Sequence, residues 1–161
     1  MNSLSPKEAA SLLRQKDNIL ILTHRRPDGD TTGCAAGLCL ALRQLGKTAW
    51  LLDNPDMTEI NGTYTAGLWA PADFAPEFVV SVDIAARSLF FPAAEAYFDR
   101  LGLAVDHHPS FEGFGAAQCV DASRAACGEI VYDICRELGE ITREVALPLY
   151  AAVATDTGCF V

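Results

Sequence analysis

The chain is short of imidazole and of positive charge. Only 3 of its 161 residues are histidine, and 12 Lys and Arg face 21 Asp and Glu, a formal net charge of −9. That deficit excludes a phosphate-binding surface built from basic side chains alone, though not phosphate handled through metal ions. No apolar run approaches the ~18–20 residues that span a bilayer. The opening stretch MNSLSPKEAASLLRQKDN lacks the basic start and apolar core of a signal peptide. The sequence therefore predicts a cytoplasmic protein with no membrane partner. Its six cysteines (34, 39, 119, 127, 135, 159) form no CxxC pair and sit mostly in apolar segments, which predicts reduced core thiols. No 20–50-residue repeat recurs. GxGxxG, GxxxxGK[ST] and GxSxG are all missing, which removes the usual dinucleotide, P-loop and serine-hydrolase signatures.

What is present is a large apolar fraction, 50%, enough for one domain with a sizeable core. Ser5 and Pro6 predict the start of a helix running to Lys16. NILILT (18–23) is fully apolar, as a strand buried on both faces would be. Thr32–Leu45 is apolar nearly all round and stops at Gly46, which predicts a buried helix with a glycine C-cap. TAWLLD, FVVSVD and LGLAVD are short strand-like runs ending at Asp53, Asp83 and Asp106. Helices are predicted over 125–138 and 142–154. This alternation reads as an α/β fold, a mainly parallel β-sheet with helices on both faces. Residues 54–76 carry three prolines and two glycines and read as an irregular excursion. Its apolar Tyr64, Leu68 and Trp69 are expected to be exposed and to offer a homodimer contact.

All three histidines fall at predicted strand ends. His24, Asp28 and Asp30 follow the first apolar strand, Asp83 ends a later one, and Asp106, His107 and His108 end the next; Asp156 follows the last predicted helix. Parallel α/β sheets bind ligands beyond the carboxyl ends of their strands, so these segments converge. Each aspartate alone is also a common turn or helix-capping residue, and Asp53 and Asp121 are read that way. The spacing His24-x3-Asp28-x-Asp30 is more specific. Two carboxylates this close repel, and the helix start nearby offsets only a fraction of a charge. A divalent metal resolves the conflict. Nitrogen and oxygen donors point to Mn²⁺ or Mg²⁺, with imidazole favouring Mn²⁺. A zinc–thiolate site using Cys34 or Cys159 is the less favoured reading.

THRRPDGD (23–30), SVD (81–83), VDHHPS (105–110) and TDTGCF (155–160) resemble the four motifs of the DHH phosphoesterases. Within them the chain looks most like the bacterial nano-RNase branch, and CGEIVYDIC (127–135) adds to the likeness. The resemblance covers roughly residues 18–161 and implies a three-layer α/β sandwich. It also implies a two-Mn²⁺ phosphoesterase that cleaves short oligoribonucleotides to mononucleotides and 3′-phosphoadenosine 5′-phosphate to AMP. His24 and Asp28 would hold one ion, Asp83 would bridge, and Asp30, His107 and Asp156 would complete the second. Asp106 would orient an imidazole, and His108 would face the substrate.

Three positions depart from the pattern: Cys34 stands where the family often has Ser, Phe111 where it often has Asn, and Val161 where Arg often follows. None is a metal position, so they bear on the substrate. The resemblance further implies that residues 1–161 are the DHH catalytic domain alone, without a C-terminal substrate-binding domain. Other readings keep the same centre but act on pyrophosphate, polyphosphate or cyclic dinucleotides, or make the chain a non-catalytic metal-dependent nucleotide-binding module. The last would be marked by a lost ligand, and none is lost.

Overall fold

The computed structural model describes residues 2–161. Six strands form a single sheet: β1 (Asn2–Ser3), β2 (Ile19–Leu22), β3 (Ala49–Leu51), β4 (Phe78–Val82), β5 (Leu101–Asp106) and β6 (Ala117–Val120). Their order is β1-β6-β5-β4-β2-β3, and every pairing is parallel. The helices are α1 (Pro6–Arg14), α2 (Gly29–Gln44), α3 (Pro92–Glu95), α4 (Cys127–Leu138) and α5 (Arg143–Asp156), with two short 3-10 turns at Arg87–Leu89 and Phe98–Arg100. The α/β architecture read from the sequence stands. The edge strand β1 and its neighbour β6 are not legible in the sequence, because two residues in one and AQCV in the other carry too little periodicity.

Alternation along β2 divides the core. Ile19 and Ile21 join α1, α2 and α4 on one face, and Leu20 and Leu22 join Phe90, Phe91 and Phe114 on the other. The second face is covered by α3, the 3-10 turns and an aromatic cluster in which Phe90 meets Phe98 edge-on at 5.3 Å. On the first face α5 lies against α2 and α4. Ser5 caps α1 as expected, in a capping box with Glu8. Gly46 takes a left-handed φ of 76° just past α2, as a helix-ending glycine does.

Three local expectations need correction. Helix α2 starts at Gly29, not Thr32, so the acidic turn is itself the start of a helix. The apolar pattern began at Thr32 only because capping residues are polar. Leu68 is 4% exposed and Trp69 is half-buried against the core beside Leu51, whereas Tyr64 is exposed as expected. Cys159 is exposed, whereas the other five cysteines are buried.

Sheet order also fixes where a ligand can enter. The chain runs outward from β2 to β3, then crosses back to β4 on the other side of β2. The crevice beyond the carboxyl ends of β2 and β4 is the topological switch point of the sheet, where such folds place their ligands.

Candidate metal centre

His24 lies two residues past β2, on the switch-point edge. Its Nδ1–H donates to the Arg25 carbonyl at 2.8 Å, which leaves the Nε2 lone pair facing inward. That nitrogen is 3.5 Å from Asp28 Oδ1 and 3.8 Å from Asp83 Oδ2. Asp28 is the N-cap of α2, its Oδ1 accepting from the N–H groups of Asp30 (3.1 Å) and Thr31 (3.2 Å). The capping role and the candidate ligand role coincide in one carboxylate.

Asp83 follows β4 with a left-handed φ of 58°, held by its own N–H donating to the Val105 carbonyl at 2.9 Å. A non-glycine residue in that region stores strain, which functional sites commonly retain. On the far side His107 repeats the arrangement of His24. Its Nδ1–H donates to the Arg124 carbonyl at 3.2 Å. Its Nε2 faces Asp156 Oδ2 at 3.4 Å, Asp83 Oδ1 at 3.6 Å and Asp30 Oδ2 at 3.8 Å. His108 stands beside it, with Nδ1 also 3.6 Å from Asp83 Oδ1. Its side chain is 43% exposed against 11% for His107. Both its backbone N–H (2.6 Å) and its Nδ1–H (2.9 Å) donate to Oδ1 of the fully buried Asp106.

Asp30 and Asp156 reach the centre through helix packing. Gly29, Gly33 and Gly37 form a stripe along α2. A Cβ on Gly33 would collide with the Pro148 carbonyl and lie 2.8 Å from the Ala152 Cβ. The stripe lets α5 approach closely enough for Asp156 to meet His107, and Asp156 is the last residue of the helix, not a residue beyond it. Asp30 also serves α4, whose N-cap Ala126 makes no side-chain bond. Its Oδ2 accepts from the Cys127 N–H (2.7 Å) and its Oδ1 from the Gly128 N–H (2.9 Å), so a carboxylate on α2 caps α4.

The charges do not balance without a cation. Burial, reinforced by Asp30, Asp28, Asp106 and Asp156, pushes the Asp83 carboxyl up to about 10. Burial also pushes Asp30 up to about 6, against the pull of its bonds from Cys34 and Cys127. Burial works against charge on His24, yet the Asp28 carboxylate and the Arg25 carbonyl outweigh it and raise its pKa. Asp83 Oδ1 and His107 Nε2 are buried with no hydrogen-bond partner. The imidazole–carboxylate separations of 3.4–3.8 Å exceed good hydrogen bonds. They suit donor atoms sharing one ion at metal–ligand distances of about 2.1–2.2 Å. Lone pairs facing carboxylate oxygens repel unless a cation lies between them. The donor set fits a divalent ion.

Two separate groups could each hold one: His24, Asp28 and Asp83, and Asp30, His107 and Asp156. A third grouping, Asp83, His107 and His108, shares their members, but His108 spends Nδ1 on Asp106. All six predicted metal residues therefore converge. Cys34 does not join them as a thiolate. Burial holds its thiol protonated, and its S–H donates to Asp30 Oδ1 at 3.2 Å.

The family described as "DHH family, N-terminal domain" matches residues 18–153. The chain belongs to the DHH family. It is 35% identical over 149 residues to the "Bifunctional oligoribonuclease and PAP phosphatase NrnA" of Thermus thermophilus, across 88% of this chain and 44% of that protein. The chain thus spans less than half the length of that DHH relative. An exopolyphosphatase-related protein from Bacteroides fragilis superposes with a TM-score of 0.80 at 21% identity, over 97% of this chain and 51% of its own. Exonuclease RecJ, solved with manganese bound, superposes with a TM-score of 0.50 at 12% identity, over 98% and 48%. These two likenesses show the fold. Among the described residues no helix is long and apolar enough to cross a membrane.

Proposed function

We propose that the chain is a two-metal phosphoesterase domain that hydrolyses short oligoribonucleotides, 3′-phosphoadenosine 5′-phosphate, or both. His24, Asp28 and Asp83 would hold one divalent ion and Asp30, His107 and Asp156 the other, with Asp83 lying between the two histidines. Mn²⁺ is the favoured ion, since two imidazoles join the carboxylates. The observation that carries this reading is the divided carboxylate of Asp83, with one oxygen toward each histidine. The substrate class rests on the name of the 35% identical relative.

When bound, the pair of ions supplies positive charge for the phosphoryl oxygens and lowers the pKa of a reacting water. The chain's own residues do the rest. Backbone carbonyls accept the Nδ1–H of His24 and of His107, which turns the Nε2 atom of each toward the carboxylates. Asp106 accepts the Nδ1–H of His108, which leaves His108 Nε2 free to take a proton from water and pass it to the leaving oxygen as the ester bond breaks. A purely metal-binding module would have no use for that carboxylate–imidazole pair.

The test is to supply Mn²⁺ and follow release of mononucleotide from a diribonucleotide and of phosphate from 3′-phosphoadenosine 5′-phosphate, with His108→Ala in parallel. Metal-dependent release of either product, reduced about 10²-fold or more by the substitution, is the expected result. Metal-independent release, or none with either substrate, refutes the proposal.

A further inference from the structure

The excursion after β3 begins with three side chains that grip the β2–α2 turn. Asn54, 2% exposed, places Nδ2 between Thr23 Oγ1 and the His24 carbonyl, donating to both at 2.9 Å. Its Oδ1 accepts from the Asp56 N–H at 3.0 Å. That bond turns the chain so that Asp56 Oδ2 accepts from the Arg26 N–H at 3.1 Å. Farther along, Asn61 Nδ2 donates to the Pro27 carbonyl at 2.6 Å. Residues 23–27 are thus held at four points by three side chains, none of which belongs to the acid–histidine groups.

The turn needs such support. Arg26 sits at a left-handed φ of 51°, a conformation that persists only where the surroundings enforce it. His24 Nε2 takes its direction from its neighbouring peptide, because Nδ1 is bonded to the Arg25 carbonyl and the His24 carbonyl is bonded to Asn54. Rotation of that peptide would swing Nε2 away from Asp28 and Asp83. The other candidate site has different supports. Asp30 is fixed by the start of α4 and His107 by the Arg124 carbonyl, and Asp156 stands at the end of α5.

We infer that Asn54, Asp56 and Asn61 form a strap that positions His24 and Asp28 for one of the two ions, leaving the other ion's ligands untouched. The inference rests on the metal-centre reading above. They are positioning residues that touch the turn and not the metal. Residues that steady metal ligands typically change affinity by about 10–100-fold when lost.

The experiment is calorimetric titration of Mn²⁺ into the metal-free protein as wild type, Asn54→Ala, Asn61→Ala, Asp56→Ala and Asp56→Asn, with circular dichroism and melting curves for each. Wild type should bind two ions. Asn54→Ala and Asp56→Ala should weaken one of them at least about ten-fold and leave the other near wild type. Asp56→Asn keeps an oxygen for the Arg26 N–H and should restore the lost affinity. Two unchanged affinities in folded Asn54→Ala and Asp56→Ala, or equal loss at both sites, would overturn the strap. If Asn54→Ala fails to fold, the exposed Asp56 pair decides by the same criteria. A wild-type protein that binds no Mn²⁺ would instead bring down the metal centre itself.

Discussion

The carboxylate of Asp83 divides its oxygens between two imidazoles: Oδ2 lies 3.8 Å from His24 Nε2 and Oδ1 lies 3.6 Å from His107 Nε2. The sheet makes this possible. β4 is the neighbour of both β2 and β5, so the residue leaving it stands between the residues leaving them. A left-handed backbone then turns its side chain into the gap. A buried acid between two lone pairs is costly in the metal-free chain, and its functional consequences can be measured.

The adjacent histidines should separate by role. His107→Ala removes an Nε2 donor that faces three carboxylates, so Mn²⁺ affinity should drop by at least about ten-fold. His108→Ala should leave Mn²⁺ affinity near wild type and lower kcat, and Asp106→Asn should lower kcat in the same way. Calorimetry and steady-state kinetics on the same preparations check this. Equal loss of metal affinity in both alanine variants would contradict the assignment.

Stability without metal should fall as pH rises. The carboxyls of Asp30 and Asp83 titrate in the fold near 6 and near 10, above their unfolded range, so the folded state holds protons that the unfolded state has released. The contribution is whole below pH 4 and is lost progressively as pH climbs through 6 toward 10. His24, also raised, adds loss of the same sign above its unfolded value. The Asp30 shift alone is worth on the order of 2–3 kcal/mol. Melting temperatures of chelator-treated protein should therefore decline from pH 5 to pH 8, and saturating Mn²⁺ should cancel much of the decline. A flat or rising profile for the metal-free protein would contradict the electrostatic account.

Helix packing should matter as much as the ligands. Gly33→Ala forces a Cβ against Pro148 and Ala152, which should cost about 1–3 kcal/mol and move Asp156 off His107. Gly46→Ala meets no neighbour and should cost only about 1 kcal/mol of left-handed strain, with Mn²⁺ binding unchanged. Denaturant unfolding together with metal titration distinguishes the two. Identical behaviour would mean that the close approach of α2 and α5 does not set the site.

Much of the site was legible in the sequence for a topological reason. His24, Asp83, Asp106, His107 and His108 lie at or just past strands of one parallel sheet, whose carboxyl ends share an edge. Asp156 was legible only through its motif, since a helix end can point anywhere until its packing partner is known. The glycines at 29, 33 and 37 carry that signal as a stripe of spacing four. The cap that Asp30 gives to α4, and the bonds from Asn54 to the turn at His24, join segments distant in the chain. Composition and periodicity hold no trace of such pairings. Leu68 was expected outside because prolines and glycines surround it, yet one bridge from Leu51 to Trp69 draws it into the core.

The central claim is that Asp83 joins two ions, and anomalous diffraction from crystals of the protein soaked in Mn²⁺ tests it most directly. The account predicts two peaks about 3.5–4 Å apart, one beside His24 and Asp28 and one beside Asp30, His107 and Asp156, with an Asp83 oxygen touching each. In Asp83→Asn crystals at least one peak should be lost. A single peak, or two that persist unchanged without the Asp83 carboxylate, would contradict it.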